Sequence, residues 1–195
     1  MPRIIDITRT VQDAPLYPGS SPVVVERVLN MQNGDRCNVS MITSGSHIGT
    51  HADASSHFLK DNKTSIDLMP LDHYYGPCRV LTFAESSLIS LKDISGKIDG
   101  CKRLAIHGGG STYLSKGAAE YIVKKGVITV LTDAMSVAPP DNEVEIHSII
   151  LSGGLAIIEN AILENVKDGE YVLSAFPIKI GGCDGAPVRA VLIDE

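Results

Sequence analysis

Short runs rich in β-branched residues recur along almost the whole chain, and they limit the folds open to it more than any other feature. Glycine or proline flanks many of these runs, a pattern typical of buried or half-buried strands. The runs cover residues 4–8, 23–31, 38–44, 79–83, 103–106, 127–132, 155–158, 170–173 and 188–193. A chain of 195 residues is long enough to bury them in one core, so we expect a single domain over residues 1–195.

Helical patterns are fewer and lie between the later strands. Residues 116–125 place small and apolar side chains at helical spacing, and residues 143–151 begin with acidic side chains, which suit a helix N-terminus. A third, shorter helix is predicted to start at His51, with Thr50 as its N-cap and Asp53 in its first turn. Strands come first and then alternate with helices, so the sequence predicts an α/β fold with a mixed sheet.

Charge and apolar pattern argue against two classes of partner. The formal net charge is −6 and the longest basic cluster is the pair Lys124–Lys125, whereas nucleic-acid binding needs clustered Lys and Arg. No apolar run approaches the roughly 20 residues of a membrane span, and the first residues lack the apolar core of a signal peptide. The four cysteines form no Cys-x-x-Cys pair and are expected to be reduced thiols. We therefore expect a cytoplasmic protein with no nucleic-acid or membrane partner.

One segment concentrates side chains that bind metals. His47, His51, Asp53 and His57 fall within eleven residues, and imidazole and carboxylate groups suit zinc, manganese or cobalt. On a straight strand His47 and His51 would lie about 13 Å apart, too far to share an ion. The chain must therefore bend between them, and Gly49 stands where the bend is needed. The sequence predicts an ion held by His47, His51 and Asp53.

His57 is placed beside this ion by its spacing. It follows Asp53 by four residues and would share one face of the predicted short helix, without having to be a ligand. Further along the chain, His147 lies on the helix predicted at 143–151, and Glu159 closes a buried apolar run. A buried Glu needs a partner, which a metal or its water would supply, although an exposed strand end is an equal alternative.

The segment at residues 47–57, read as His-x3-His-x-Asp-x3-His with Gly-Thr inside, resembles the motif of the cyclase-like metal-dependent hydrolases. That family includes bacterial kynurenine formamidases and isatin hydrolases. The likeness extends over nearly the whole chain, through residues 6–8, 17–19, 67–79 and 185–189. It implies a swivelling β/β/α fold and one or two divalent ions, with zinc as the first expectation and manganese as the alternative.

The same resemblance implies roles for individual residues. His47, His51 and Asp53 would hold the first ion. Asp53, His147 and Glu159 would hold the second ion. His57 would transfer protons, which suits a side chain whose free pKa is near 6.5. The candidate walls of the substrate pocket, each with simple packing as its alternative, are Tyr17, Phe58 and Tyr74.

The activity implied by the resemblance is that of an amidohydrolase acting on a small aryl formamide or cyclic amide, as when N-formylkynurenine gives kynurenine and formate. Two departures from the formamidases bear on the substrate. Tyr17 stands where they tend to have Trp, and Ser55 stands where they usually have Pro. The alternatives are a ring-opening hydrolase of isatin or a lactone, a cyclase on the same site, or a metal-binding protein without turnover. The family also implies a homodimer or homotetramer whose neighbouring subunits help to close the pocket.

Overall fold

A nine-stranded mixed sheet forms the centre of the computed structural model, which describes residues 2–61 and 64–194. The strands of the described chain, in order, are β1 (Arg3–Asp6), β2 (Val24–Leu29), β3 (Val39–Thr43), β4 (His51–Asp53), β5 (Tyr75–Thr82), β6 (Leu88–Ile89), β7 (Arg103–His107), β8 (Tyr113–Leu114), β9 (Thr129–Thr132), β10 (Ala156–Glu159), β11 (Gly169–Ser174), β12 (Gly185–Pro187) and β13 (Val191–Asp194). The helices are α1 (Leu91–Ile94), α2 (Lys116–Lys124) and α3 (Glu143–Ser152). Short 3-10 turns occupy Met31–Asn33, Ser55–His57, Ile66–Leu68 and Leu71–Tyr74.

The order of strands in the large sheet is β1-β13-β11-β5-β7-β9-β10-β4-β12. The four strands β5, β7, β9 and β10 run parallel, and every other pairing in this sheet is antiparallel. The two remaining pairs, β2 with β3 and β6 with β8, form small two-stranded sheets. Of these parallel strands, β7, β9 and β10 are buried on both faces, whereas β5 alternates between buried and more exposed residues.

Two apolar clusters cover the two faces of the parallel strands. One cluster packs the three helices against the sheet through residues such as Ile94, Ile122 and Ile150. The other joins the opposite face to the antiparallel strands and includes Tyr74 and Leu192. Helices on one face and additional strands on the other confirm the predicted α/β fold with a mixed sheet.

Each of the nine predicted runs overlaps an observed strand, and two predicted helices appear as α2 and α3. The third predicted helix is wrong: His51–Asp53 is a buried strand, β4. It pairs with β10 on one side and β12 on the other, and this pairing outweighs the local capping pattern. Strand β12, Gly185–Pro187, carries no strand pattern of its own and was not among the predicted runs.

The β2–β3 hairpin stands apart from the rest of the molecule. Every residue of both strands is exposed, and neither apolar cluster of the described chain includes any of them. Val25 pairs with Ile42 across the hairpin, and these side chains are 47% and 66% exposed. An isolated two-stranded hairpin is marginally stable in water, so this one calls for a further contact.

None of the described helices combines the length and the apolar character needed to cross a membrane.

Candidate metal centre

A sharp bend at Gly49 brings the first two histidines together. Gly49 has φ +61°, and a Cβ there would lie 3.0 Å from Val11 Cγ1 and 3.3 Å from the carbonyl oxygen of Arg9. Thr50 fixes the bend because its hydroxyl donates to the carbonyl of Asn160 at 2.8 Å. The predicted bend is therefore present, at the one residue type that fits it without strain.

Strand β4 presents its two polar side chains to the same side. His51 and Asp53 are two residues apart on a strand, so both point to one face of the sheet. Glu159, the last residue of β10, is the direct partner of His51 in the sheet register. His147 reaches the same place from the second turn of α3. Neighbouring elements thus collect two imidazoles and two carboxylates.

The four side chains are buried and closely spaced, with exposures of 3% for His51, 0% for Asp53, 1% for His147 and 5% for Glu159. His51 Nε2 lies 3.5 Å from Asp53 Oδ1 and 3.6 Å from Glu159 Oε2. His147 Nε2 lies 3.3 Å from Glu159 Oε1 and 3.8 Å from Asp53 Oδ2. Ligand atoms around one tetrahedral ion with bonds of about 2 Å are roughly 3.3 Å apart. The spacing fits a divalent ion.

Backbone carbonyls orient both imidazoles. Nδ1 of His51 donates to the carbonyl of Gly49, and Nδ1 of His147 donates to the carbonyl of Glu143, both at 2.9 Å. A carbonyl can only accept, so in each ring Nε2 is left free to face the carboxylates. This arrangement prepares both Nε2 atoms as ligands.

His47 sits at the edge of this group between two carboxylates. Its Nδ1 lies 2.9 Å from Asp53 Oδ1, and its Nε2 lies 3.0 Å from Asp184 Oδ2. Burial alone lowers the pKa of His47, but the hydrogen bonds and charges of Asp53 and Asp184 outweigh burial and raise it to about 9. The pKa of His147 is also raised to about 9, since Glu159 and Asp53 outweigh its burial.

Two groups of potential ligand atoms share Asp53. In the described chain, His47, Asp53 and His57 form one group and His51, Asp53 and Glu159 form the other, with ligand atoms within 4.8 Å of one another. This division differs from the predicted one, which joined His47 to His51. Asp53 is common to both divisions, and the assignment of each ligand stays a prediction.

His57 lies beside the centre, but not for the reason predicted. Because Asp53 ends a strand and His57 ends the 3-10 turn Ser55–His57, the two do not share a helix face. The ring of His57 instead stacks on His47 at 3.8 Å, and its Nδ1 lies 3.3 Å from Asp184 Oδ2. Burial lowers the pKa of His57, against the opposing charges of Asp53 and Asp184. Its position suits a proton carrier at the edge of the centre.

Asp184 is a site residue that the sequence did not reveal. Its carboxylate contacts both His47 and His57, and the hydroxyl of Ser46 donates to it at 3.0 Å. The adjacent Gly185 allows this approach, since a Cβ there would lie 2.6 Å from the ring of His47. Asp184-Gly185-Ala186-Pro187 is an ordinary turn pattern. Gly185 lies inside strand β12, and a glycine in a strand often marks a close approach of another group to the backbone.

A cavity of about 220 Å³ opens onto the centre. Tyr17 and Phe58 line it together with Met135 and Glu143, and the ring of Phe58 stacks on His147 at 4.3 Å. Of the described residues that line this cavity, none is a lysine or an arginine. The cavity thus has aromatic walls around an acidic and imidazole-rich floor.

Tyr74 requires a correction, since it was expected in the wall of the pocket. Its side chain is 0% exposed and belongs to the apolar cluster on the strand side of the sheet. The 3-10 turn Leu71–Tyr74 directs the ring inward just before β5 begins. Tyr74 cannot contact a substrate from this position.

Known proteins resemble this chain in sequence. Residues 5–139 match the model of the Cyclase family. The chain is 32% identical over 201 residues to a kynurenine formamidase of Bacillus cytotoxicus, and the alignment covers 96% of each chain. A kynurenine formamidase of Bacillus mycoides matches with the same identity and coverage.

Solved structures show the same fold. Isatin hydrolase A from Labrenzia aggregata is similar with a TM-score of 0.86 and 19% identity, over 99% of this chain and 94% of that one. A structure described as a predicted metal-dependent hydrolase from Bacillus stearothermophilus gives a TM-score of 0.85 and 24% identity over 100% of both chains. These likenesses confirm the expected cyclase-like fold.

Proposed function

Because the chain belongs to the Cyclase family, we propose that it is a metal-dependent amidohydrolase that cleaves the C–N bond of a small aryl formamide or cyclic amide. N-formylkynurenine, which would give kynurenine and formate, is the leading substrate. The kynurenine formamidases that match 96% of this chain support this choice. Opening of the isatin ring is the alternative on the same site.

One observation carries the proposal: the carboxylate of Asp53 is fully buried, and its Oδ2 has no hydrogen-bond partner in the described chain. Burying a carboxylate oxygen without a hydrogen-bond partner lowers the stability of the folded state. Two imidazoles and a second carboxylate surround it, and this donor set fits a divalent cation.

We propose one or two divalent ions, zinc first and manganese as the alternative. His47, His51 and Asp53 would hold one ion, and Asp53, His147 and Glu159 the second. When bound, such a cation polarises a carbonyl oxygen and lowers the pKa of its water to about 7. The mixed imidazole and carboxylate donors favour these metals over the softer ions that thiolates select.

His57 would take a proton from the attacking water and return it to the leaving amine. Its ring lies at the cavity, and Asp184 Oδ2 lies 3.3 Å from its Nδ1, which leaves Nε2 to exchange protons with the substrate. Tyr17 and Phe58 would hold a flat aromatic ring between them and keep water away from the reacting amide. Tyr17 in place of the formamidase Trp narrows that aromatic wall.

The test couples metal analysis to turnover. Protein freed of metal by a chelator and then reloaded with zinc or manganese is assayed with N-formylkynurenine, formanilide, isatin and a lactone. We expect hydrolysis of a formamide only after reloading. If only isatin or the lactone is hydrolysed, the protein is a ring-opening hydrolase instead. Turnover that survives the chelator would overturn the metal-dependent proposal.

We propose that the protein is a homodimer joined through the β2–β3 hairpin. The hairpin exposes apolar side chains on both faces, with Val25 and Ile42 on one face and Val24 and Met41 on the other. Its two ends lead directly to the candidate site, since Ser20 and His47 line the cavity on either side of it in the sequence. A second copy covering the hairpin would stabilise the pocket of its partner, and a homotetramer would need a further contact.

The four cysteines Cys37, Cys78, Cys101 and Cys183 are free thiols in the structure. Free thiols are typical of proteins in reducing compartments, which supports the proposal of a cytoplasmic location.

A further inference from the structure

Glu143 stands in the wall between two cavities. It lines the cavity over the metal centre and also a neighbouring cavity of about 230 Å³. Tyr17 and Met135 belong to both cavities as well, so these three side chains form the shared wall. The far cavity is otherwise mainly apolar, with Tyr113 and Pro140 among its residues. A carboxylate in such a wall faces whatever group a bound substrate extends past the reacting amide.

The contacts of Glu143 leave half of its carboxylate available. The hydroxyl of Tyr17 donates to Oε2 at 2.7 Å, which holds the carboxylate in place. The pKa of Tyr17 is raised to about 12 by this hydrogen bond, so the phenol remains the donor. Among the residues that the structure describes, Oε1 accepts a hydrogen bond only from the hydroxyl of Ser136, at 3.4 Å. A carboxylate offers about four acceptor positions, and Oε1 can therefore take a strong donor from a ligand.

The position of Glu143 sets the distance to the reacting group. It precedes His147 by four residues on α3, so the two residues share one helix face and their Cβ atoms are roughly 6 Å apart. That distance is about the width of a benzene ring. A ring whose formamide reaches the metal centre would carry a substituent to Glu143.

The charge at the outer wall of the cavity is negative. The described lining includes Glu143 and Glu159 and no lysine or arginine, and its four histidines lie at the metal centre. Lys116, on α2, pairs with Glu145 at 2.7 Å and is exposed. A carboxylate on the substrate would meet repulsion from Glu143, whereas an ammonium group would be attracted.

We propose that Glu143 is a specificity residue that binds an amine substituent of the substrate, so that the site prefers aryl formamides carrying an ammonium group to those carrying a carboxylate. This inference rests on the proposed function, since it takes the formamide to lie at the metal centre. It assigns to the amine a place beside Tyr17, at the entrance to the neighbouring cavity.

The test measures binding of three ring amines that are products of the corresponding formamides and are not hydrolysed. These are 3-(aminomethyl)aniline, 3-methylaniline and 3-aminobenzoate, titrated into the zinc-loaded protein by calorimetry. We expect the cationic amine to bind at least about tenfold more tightly than the anionic one, with the neutral amine between them. Equal binding of the three, tighter binding of 3-aminobenzoate, or no detectable binding of the cationic amine would overturn the proposal.

Two variants locate the effect. Glu143→Gln keeps the size of the side chain and should reduce the preference to less than about twofold. Glu145→Gln, the matched control, removes the same charge from the same helix turn, but there the carboxylate faces Lys116. It should keep the wild-type order of binding. A wild-type preference in Glu143→Gln, or its loss in Glu145→Gln, would assign the effect to general charge rather than to this carboxylate.

A third variant guards against a folding defect in Glu143→Gln. Tyr17→Phe removes the hydroxyl that donates to Glu143 and frees its second oxygen, so the preference for the cationic amine should persist or grow. Its loss would contradict the proposal. Turnover of the three parent formamides is measured in parallel. Absent turnover with the expected order of binding would reject the proposed function alone, while turnover without that order would reject the role of Glu143 alone.

Discussion

The ring of His57 has the candidate metal centre on one side and a carboxylate on the other. It stacks on His47 at 3.8 Å, and its Nδ1 lies 3.3 Å from Asp184. A histidine so placed can either bind the ion or carry protons, and the two roles predict different results. Metal content and rate must therefore be measured on the same variant.

Replacing His57 with Ala should leave the metal content at the wild-type level and lower kcat by about 10² to 10⁴, the usual contribution of a general acid and base. Metal analysis and formanilide turnover on the same preparation check this. A parallel loss of metal would make His57 a ligand, as its grouping with His47 and Asp53 permits. Wild-type turnover would end its role altogether.

Asp184 is expected to act through His57 rather than on the substrate. Asp184→Asn keeps the size of the side chain but removes the charge that holds the imidazole, so kcat should fall by roughly tenfold to a hundredfold while KM changes little. Steady-state kinetics separate the two constants. If KM alone rose, Asp184 would belong to the substrate pocket. Loss of metal would show that its contact with His47 matters more.

The raised pKa values of His47 and His147 make the stability of the metal-free protein depend on pH. The pKa values of His47 and His147 are about 9 when folded, against about 6.5 for a free histidine. Between these values the folded state binds more protons than the unfolded state, so stability is fully present below pH 6.5 and is lost as the pH rises through 9. Urea unfolding of chelator-treated protein at pH 6.5 and pH 9.5 should show the higher midpoint at pH 6.5.

The same protons compete with a metal. Binding must displace them, so zinc affinity, measured by competition with a chelator, should rise over this pH range. If neither the stability nor the zinc affinity changed over this pH range, neither histidine would have a raised pKa.

Most of the longer strands could be predicted from the sequence, whereas the partners of each strand could not. The central strands β7, β9 and β10 are buried on both faces and read as continuous apolar runs. Strand β4 has only three residues, two of them polar, and therefore carries no strand pattern of its own. It becomes a strand because β10 and β12 satisfy its backbone groups from both sides, and no local signal records such distant pairing.

The bend that starts β4 should be intolerant of any side chain. Gly49→Ala places a Cβ 3.0 Å from Val11 Cγ1 in a backbone conformation that costs other residues about 1–2 kcal/mol. We expect a loss of about 1–3 kcal/mol in the free energy of unfolding and a weaker zinc affinity, because His47 and His51 flank the bend.

Gly126→Ala is the matched control, since Gly126 has φ +72° but open space around the new Cβ. Urea unfolding and zinc competition compare the two variants. The control should lose stability without losing zinc affinity. Equal zinc affinity in Gly49→Ala and the wild type would show that the bend does not set the ligand geometry.

The candidate metal centre is built from segments that lie far apart in the sequence. The spacing within residues 47–57 was enough to predict a metal site, since these ligands are local. His147 and Glu159 gave only weak signals, and family resemblance rather than pattern joined them to the centre. Asp184 gave no sequence signal of its own, because the pairing of β12 with β4 is what brings it to His47. That residues 1–195 form a single domain stays a prediction.

The β2–β3 hairpin is an apolar feature that the rest of the described chain leaves exposed. If two copies meet there, a charge placed in the middle of the contact should separate them, because a buried lysine without a partner costs far more than an exposed one. Ile42→Lys should therefore shift the protein from dimer to monomer in size-exclusion chromatography with light scattering.

Val144→Lys is the control, since Val144 is 67% exposed on α3 and belongs to neither hairpin strand, and its variant should keep the wild-type mass. Because the hairpin ends beside Ser20 and His47, separation should also raise KM for the formamide, as the pocket wall loses its support. If the wild-type protein is a monomer in solution, the proposed homodimer is wrong. A dimer unaffected by Ile42→Lys would place the contact on another surface.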